Sequence, residues 1–402
     1  MATKIAIIGG GASGLTAAIA AAREGGHVTL FEKNDRVGKK LLMTGNGKCN
    51  LTNLTYSEAN YFSSERELLP VFVGLHDPEE IMDFLGSIGL FLVQKEWRIY
   101  PLSEQAASVL DALRFTCAEE GIDIHTGVNV TEIMPLGKGY EIMGEKFDSV
   151  VVSCGGASYP QTGSDGSGYK LVHNFGLQFA GILPALCPLI CKEDFYKQIA
   201  GVRAQSRIKL FINGESVWEE SGEIQLTDKG ISGIVVFQFS RLAAEAIRTG
   251  EQVFVDIDFL PDMEEKDIVD QLNLRLLLHN EATALELTNS LLPKKLLLLI
   301  LKLSGIKPTK PASQAHIGWD AFCHLIKHFR SEIQGTVGYD HAQTTAGGVL
   351  LSQVTEHLEA VEQPGLFFTG EMLDIDGVCG GYNLHWAFSS GITAGEWAAK
   401  VK

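Results

Sequence analysis

Hydrophobic and polar positions follow two regimes along the chain. The first opens with the apolar run Lys4-Ile5-Ala6-Ile7-Ile8, then glycines, then a small-residue helix from Leu15 to Arg23. Gly25-Gly26 breaks that helix, and His27-Val28-Thr29-Leu30-Phe31 reads as a second strand ending at Glu32. Tyr56 to Leu92 is polar and helical in character, with Pro78-Glu79-Glu80 as a helix start. An amphipathic helix over Ala106–Glu120 stops at Gly121, and strands follow at Ile122–Thr126, Val128–Val130 and Phe147–Val152. After Leu183-Pro184 the pattern changes to short alternating runs: Leu186–Cys191, Ser206–Asn213, Ser216–Glu219, Glu223–Thr227 and Gln252–Phe259. Such turn-separated alternation predicts antiparallel strands. Pro261 opens a helical stretch covering Asp267–Leu278, Ala282–Leu291, Lys294–Leu303 and Trp319–Phe329, and Gln334–Tyr339 returns as a strand. Leu366-Phe367-Phe368-Thr369-Gly370-Glu371, a strand ending in Gly-Glu, and a small-residue helix over His385–Gly395 close the chain in the style of its beginning.

Composition narrows this picture. Of 402 residues, 45% are hydrophobic and 20% charged, normal for a chain that buries cores. Lys plus Arg number 33 against 49 Asp plus Glu, a formal charge of −16, which argues against an electrostatic nucleic-acid binder. The start of the chain carries no secretory pattern, and the longest apolar run, Leu296–Leu301, is far short of the ~18 residues a membrane span needs. Seven scattered cysteines without a C-x-x-C pair predict reduced thiols in a cytoplasmic protein and no metal centre. Glycine is in surplus: 43 residues, about 11% against a usual ~7%. Glycine concentrates where backbone turns sharply or approaches a ligand.

The first such place is Gly9-Gly10-Gly11-Ala12-Ser13-Gly14, a G-x-G-x-x-G between a strand and a helix, with Glu32 18 residues beyond Gly14. Strand, helix, second strand and distal acid together predict dinucleotide binding. Gly9 would turn the chain, Gly11 would admit a pyrophosphate to the backbone, Gly14 would bring the helix close, and Glu32 would accept from ribose hydroxyls. A second glycine-rich, cationic stretch follows, Asn34-Asp35-Arg36-Val37-Gly38-Lys39-Lys40 and Thr44-Gly45-Asn46-Gly47-Lys48-Cys49-Asn50.

This "ExxxRVGKK…TGNGKCNLTN" run resembles the bacterial flavoprotein family that includes aminoacetone oxidase and 3-dehydro-bile acid Δ4,6-reductase. That family is distantly similar to the succinate dehydrogenase and fumarate reductase flavoproteins. The resemblance spans nearly the whole chain and implies an α/β fold. A discontinuous Rossmann-like FAD-binding domain (1–185 and 344–402) would carry an insert (186–343), a small β-barrel (186–260 and 331–343) with a helical cluster (261–330). It implies FAD, with Ala12, Ser13, Glu32 and Lys33 among the residues that bind it and Glu32 at the ribose. Arg36, Lys40 and the loop Gly45, Asn46, Gly47, Lys48, Cys49 and Asn50 would follow the pyrophosphate and flavin. Without it, Arg36 and Lys39 read as solvated charges. Val130 matches a backbone contact to the adenine, or is a plain sheet residue. Gly155-Gly156 resembles a further backbone approach to the cofactor, and Asp165 matches the acid of a T-G-D-G turn, or serves only as a turn residue. Thr344-Thr345-Ala346-Gly347-Gly348 resembles the T-x-G-G element over the flavin ring. Fumarate reductase relatives carry a substrate-binding His four residues before the first glycine of that element. Gln343 stands there in this chain, with His341 nearest, which argues against a dicarboxylate substrate. Gly370, Glu371, Asp374, Gly381, Tyr382 and Asn383 would line the far end, where a helix N-terminus stabilises charge on the reduced ring.

FAD would carry the redox chemistry. No second complete dinucleotide fingerprint exists, so NAD(P)H, if it is the donor, would dock transiently at the flavin. Three functions follow: an FAD-dependent oxidoreductase acting on an activated C–C or C=C bond of a small organic or steroid-like substrate, an amine oxidase producing hydrogen peroxide, or a flavin-holding regulatory protein without turnover. The first is favoured. No acid/base pair is recognisable; Tyr159, His341 and Tyr382 are the catalytic candidates.

Overall fold

The structure, a computed structural model, describes residues 2–312 and 319–401. It divides into two compact units, one of Met1–Pro184 with Tyr339–Lys402 and the other of Ala185–Gly338.

In the first unit β1 (Lys4–Ile8), α1 (Ala12–Arg23) and β2 (His27–Glu32) form the expected βαβ unit. β3 (Asp123–Thr126) and β4 (Ser149–Val152) join them in one sheet. Every residue of β4 is buried, as a strand covered on both faces must be. Val128–Val130 is not the strand its apolar alternation suggests. It is unpaired chain, held as Gly127 and Val128 donate backbone N–H to Asn34 O and Glu32 O, so it crosses the end of β2 instead of extending the sheet.

The second unit is a closed barrel of β5 (Leu189–Cys191), β6 (Arg203–Ile212), β7 (Glu215–Leu226), β8 (Gly230–Ser232), β9 (Val253–Asp258) and β10 (Phe329–Thr336), in spatial order β5-β8-β7-β6-β9-β10. Val253, Val255 and Ile257 point inward on alternate positions, as period-2 patterning requires. The runs expected at Ser216–Glu219 and Glu223–Thr227 are one continuous strand, β7. The last strand begins at Phe329 and not at Gln334, because Phe329, Ser331 and Ile333 alternate into the core; Tyr339–His341 is a single 3-10 turn. A helix that the strand-like run Ile234-Val235-Val236-Phe237 conceals, α2 (Ile234–Arg248), packs against β6, β7, β8, β9 and β10 through Val235, Val236, Phe239, Ala243 and Ala246. α3 (Glu265–Leu278), α4 (Lys294–Leu303) and α5 (Trp319–Lys327) form the helical part, and the helix expected over Ala282–Leu291 shortens to Ala284–Thr288 behind a Thr283–Glu286 capping box. The segment 313–318 of the expected helical cluster lies outside the described residues. Leu296, Leu297, Leu299, Ile300 and Leu301 are buried, so the leucine-rich run is core.

The chain re-enters the first unit with β11 (Leu366–Phe368) and α6 (Tyr382–Ala398). The sheet is then β11-β4-β1-β2-β3, all parallel. α6 lies on α1 at close range: a Cβ on Gly391 would fall 2.6 Å from Ser13 O, and one on Gly395 2.3 Å from Ala17 O. Among the described residues no helix is long and apolar enough to cross a membrane.

Candidate active site

The tips of β1, β2 and β4 and the first turns of α1 and α6 line a cavity within the first unit that opens to solvent, about 1210 Å³ with the solvent space at its mouth included. Its floor is the β1–α1 loop. Gly9 adopts φ 107° and carries no room for a side chain, since a Cβ would sit 2.4 Å from Ser153 O; a Cβ on Gly14 would sit 1.9 Å from Gly9 O. Gly11 differs. Nothing lies within 4 Å of where its Cβ would be, so the position opens onto the cavity. Gly11 is also the N-cap of α1, without a side-chain cap and with no acid in the first turn. The positive end of a twelve-residue helix therefore faces the cavity with room for an anion.

α6 repeats the arrangement from the other side. Its N-cap is Gly381 (φ 101°), no side chain caps it, no acid stands in its first turn, and Asn383, Leu384, Trp386 and Ala387 line the cavity. Asn383 fixes that end by accepting from Gly377 N (2.9 Å) and donating to Gly377 O (2.7 Å), while Trp386 Nε1 donates to Gly370 O (3.1 Å). A Cβ on Gly381 would lie 2.9 Å from Asn50 Oδ1, a buried oxygen with no hydrogen-bond partner among the described residues.

Charged groups mark the walls. Glu32, buried at the tip of β2, accepts from Gly10 N (2.8 Å) on one oxygen and from Asn34 N (2.8 Å) and Asn34 Nδ2 (2.7 Å) on the other. Lys33 Nζ reaches Asp165 Oδ1 (2.7 Å) and Ser167 Oγ (3.0 Å). Burial acts to raise the Asp165 pKa, but the hydrogen bonds from Lys33 and Ser167 outweigh it and hold the carboxyl below its ordinary value. Lys40 pairs with Glu371 and donates to Ser158 Oγ (2.7 Å). Glu371 accepts in turn from Thr345 N and Ser158 Oγ, each at 3.1 Å.

Of the cofactor residues expected from sequence, Gly9, Gly11, Ala12, Ser13, Glu32 and Lys33 line the cavity, as do Lys40, Val130, Gly155, Gly370, Glu371 and Asn383. Gly14, Gly156, Gly347 and Gly348 stand behind the wall, where a Cβ would meet neighbouring atoms within 2.6 Å. Asp165 acts on the cavity through Lys33. Asp374 does not line the cavity and accepts from Ser63 Oγ and Ser64 N. Arg36 is exposed, and Gly45, Asn46, Gly47 and Lys48 form a loop outside the cavity, in which Lys48 pairs with Glu104 (3.2 Å). Cys49 is fully buried, its thiol pushed up to about 12 by desolvation, so it is no nucleophile. Asn34, Thr44, Ser153, Ser164 and Trp386 line the cavity without having been singled out in the sequence. Asn34, two residues past the β2 acid, and Thr44, at the head of the TGNGKCNLTN run, carried a positional hint.

The catalytic candidates separate. His341 is exposed and Tyr159 half-buried at φ 55°, and neither lines the cavity. Tyr382 walls a second recess of about 460 Å³ with Asn53, Thr55, Glu96, Trp97, Arg98, Cys379 and Gly380, its hydroxyl 2.9 Å from Thr55 Oγ1. In the first turn of α6, fully buried His385 faces Thr52 Oγ1 through Nδ1 (2.7 Å) and His76 O through Nε2 (3.0 Å), and burial pushes its pKa down to about 4.

The cavity fits a dinucleotide of FAD's kind. It supplies an open glycine at one helix N-terminus, a second uncapped helix N-terminus opposite, and a ribose-side acid.

Comparison with known proteins agrees with this geometry. The profile of the family described as "HI0933-like protein Rossmann domain" matches residues 3–397. A 3-dehydro-bile acid delta(4,6)-reductase of Clostridium scindens is 40% identical over 99% of both chains. A ribosomal RNA dihydrouridine synthase of Escherichia coli is 28% identical, over 96% of this chain and 95% of that protein. Among solved structures, an open-conformation flavocytochrome c3 fumarate reductase superposes with a TM-score of 0.50 at 16% identity, covering 99% of this chain and 78% of the other. The 3-ketosteroid delta1-dehydrogenase of Sterolibacterium denitrificans gives 0.50 at 11% identity with both chains fully covered. These two likenesses are likenesses of fold.

Proposed function

The chain belongs to the HI0933-like family, and on that footing we propose that it is an FAD-dependent oxidoreductase that reduces a C=C bond conjugated to a carbonyl in a small, steroid-like substrate. The observation that carries the redox reading is the convergence of two uncapped helix N-termini on one cavity. FAD, when bound, supplies hydride transfer. The chain's own residues do the rest. The α1 N-terminus and the open Gly11 hold an anionic diphosphate, and Glu32 accepts hydroxyl donors at the tip of β2. The α6 N-terminus, fixed by Asn383, stabilises negative charge gathering at the other end of the cavity. The Lys40–Glu371 pair positions the wall between them.

The substrate class rests on the 40% identical relative, whose name specifies reduction of a dehydro-bile acid. NAD(P)H is the expected donor. Among the described residues no disulfide joins any of the seven cysteines, which suits a reducing compartment, the cytoplasm. The test is anaerobic: NADH or NADPH bleaches the bound flavin, and a 4,6-dien-3-one steroid restores its absorbance. A reduced flavin that no enone reoxidises overturns the substrate class.

One observation favours a second reading. The Escherichia coli relative makes dihydrouridine in ribosomal RNA, and the uracil bond it reduces is likewise conjugated to a carbonyl. The acidic balance therefore does not exclude nucleic acid as a substrate. Lys294, Lys295, Lys302, Lys307 and Lys310 make the stretch 294–310, which holds no acid, locally cationic despite the overall charge of −16. Dihydrouridine formed in ribosomal RNA by the reduced enzyme, with no turnover of steroid dienones, would establish this reading instead.

A further inference from the structure

The insert unit carries a cluster that the oxidoreductase reading does not use. His324 on α5 and His328 just past its end are four residues apart, so their rings share one face, with centroids 4.8 Å apart. His328 N donates to His324 O (2.7 Å), which continues the helical turn through both. Glu265, the first residue of α3, brings Oε2 to 3.6 Å from His324 Nδ1. One donor atom from each of the three lies within 4.8 Å of the others.

A fourth group gives the cluster direction. Asp256, on β9, places Oδ2 3.1 Å from His328 Nδ1. A carboxylate on one imidazole nitrogen fixes the tautomer and leaves the other nitrogen, Nε2, with its lone pair free, the usual outer-sphere support of a metal-binding histidine. The adjacent cation is turned away: Lys327 Nζ is spent on Asp258 Oδ2 (2.7 Å), Leu260 O (2.7 Å) and Met263 O (2.6 Å). The three donors remain open to solvent, so an ion has an entry path.

We propose that Glu265, His324 and His328 bind one divalent ion of borderline softness, Zn²⁺ foremost, with water completing the shell and Asp256 as a positioning residue. Two imidazoles and one carboxylate suit Zn²⁺, Ni²⁺ or Cu²⁺, whereas Mg²⁺ and Ca²⁺ take oxygen sets. Ligands about 2.0–2.1 Å from a tetrahedral ion stand about 3.3 Å apart, so the exposed side chains close by up to about 1.5 Å on binding. The ion would tie the start of α3 to the end of α5, where that helix hands over to the barrel strand β10. None of these residues lines the cofactor cavity.

Zn²⁺ titration of the chelator-treated, flavin-loaded enzyme by calorimetry tests this. The wild type should bind one ion per chain and unfold at a higher temperature with Zn²⁺ than without. His324→Ala/His328→Ala should lose at least 100-fold in affinity and the thermal shift, and Glu265→Gln should weaken binding in the same direction. Asp256→Asn should weaken it 10- to 100-fold with the stoichiometry kept. Unchanged flavin absorbance shows that each variant is folded, which the exposure of both histidines favours. No saturable binding by the wild type, or undiminished binding by the double variant, overturns the site. An Asp256→Asn affinity equal to wild type overturns the positioning role.

Discussion

The two helix N-termini that meet at the cofactor cavity are held in different ways. α1 is held by backbone against backbone. Gly9 lies on Ser153 O and Gly14 on Gly9 O, at distances that forbid any Cβ. α6 is held by side chains, some its own and some from far along the chain: Asn383 on Gly377, Asn53 Nδ2 on Gly380 O (2.9 Å), Tyr61 Oη on Tyr382 O (2.9 Å) and His385 between Thr52 and His76. The same electrostatic element, an uncapped positive helix end, is thus built once by omission of side chains and once by their addition. Damage to the first should be steric and abrupt. Damage to the second should be graded, one hydrogen bond at a time.

The sharpest break of that contrast lies within the glycine loop. Gly14→Ala puts a methyl 1.9 Å from a carbonyl oxygen of the same loop, and overpacking against backbone that cannot yield should cost about 3 kcal/mol or more. Thermal unfolding of the flavin-free chain should show it directly. Gly11→Ala meets no atom within 4 Å, so flavin-free stability should stay within about 1 kcal/mol of wild type while FAD affinity falls tenfold or more. Equal destabilisation by both substitutions would mean that Gly11 is a packing glycine and not a ligand-facing one.

That difference also governs what could be read in advance. The βαβ unit was legible because all its parts lie within 32 residues and each glycine answers a local constraint. Lys40, Glu371 and Asn383 required the resemblance, because the partner of Lys40 lies 331 residues away and no spacing rule reaches so far. The Gly45–Lys48 loop shows the limit of that resemblance: its glycines are left-handed, at φ 55° and 83°, but the loop stands outside the cavity. In the insert, period-2 burial made β9 readable. α2 stayed hidden because its β-branched start mimics a strand, although its buried positions 235, 239, 243 and 246 keep helical spacing. The contribution of Trp386 depends on which way its indole turns, and that is decided by its burial and by the bond from Nε1 to Gly370 O, which no spacing rule reaches.

Graded damage at the second helix end should be visible first in pH. His385 titrates near 6.5 in the unfolded chain and is pushed down to about 4 by burial. The unfolded state therefore takes the proton first. The stability it protects is complete above pH 6.5 and is lost as pH falls toward 4, up to about 3 kcal/mol. His76, also pushed down by burial, acts in the same direction. Unfolding temperatures from pH 4 to 7 should fall more steeply for wild type than for His385→Gln; parallel curves would show that the acid sensitivity arises elsewhere. Next in size, Asn383→Ala removes two hydrogen bonds to Gly377, about 2 kcal/mol, and should weaken FAD binding without abolishing it. Flavin release on dilution measures that loss.

Tyr382→Phe is the smallest and most discriminating change. The residue is 4% exposed, its hydroxyl meets Thr55 Oγ1 at 2.9 Å, and Thr55 in turn donates to Asn53 Oδ1 (2.7 Å), the side chain that holds Gly380. Removing the hydroxyl breaks one link of a chain whose other links stay bonded, so stability should drop by no more than about 1 kcal/mol. Flavin content should be unchanged, because Asn383 still fixes the first turn of α6. A structural hydroxyl also predicts that enone-driven reoxidation keeps its rate within about threefold, since one neutral hydrogen bond of about 1 kcal/mol corresponds to that order. A hundredfold slower reoxidation at full flavin content would instead make Tyr382 the proton donor and the recess beside Arg98 the substrate's side of the site. The α6 end would then be built by side chains because some of them do chemistry, which is the difference from α1 that matters most.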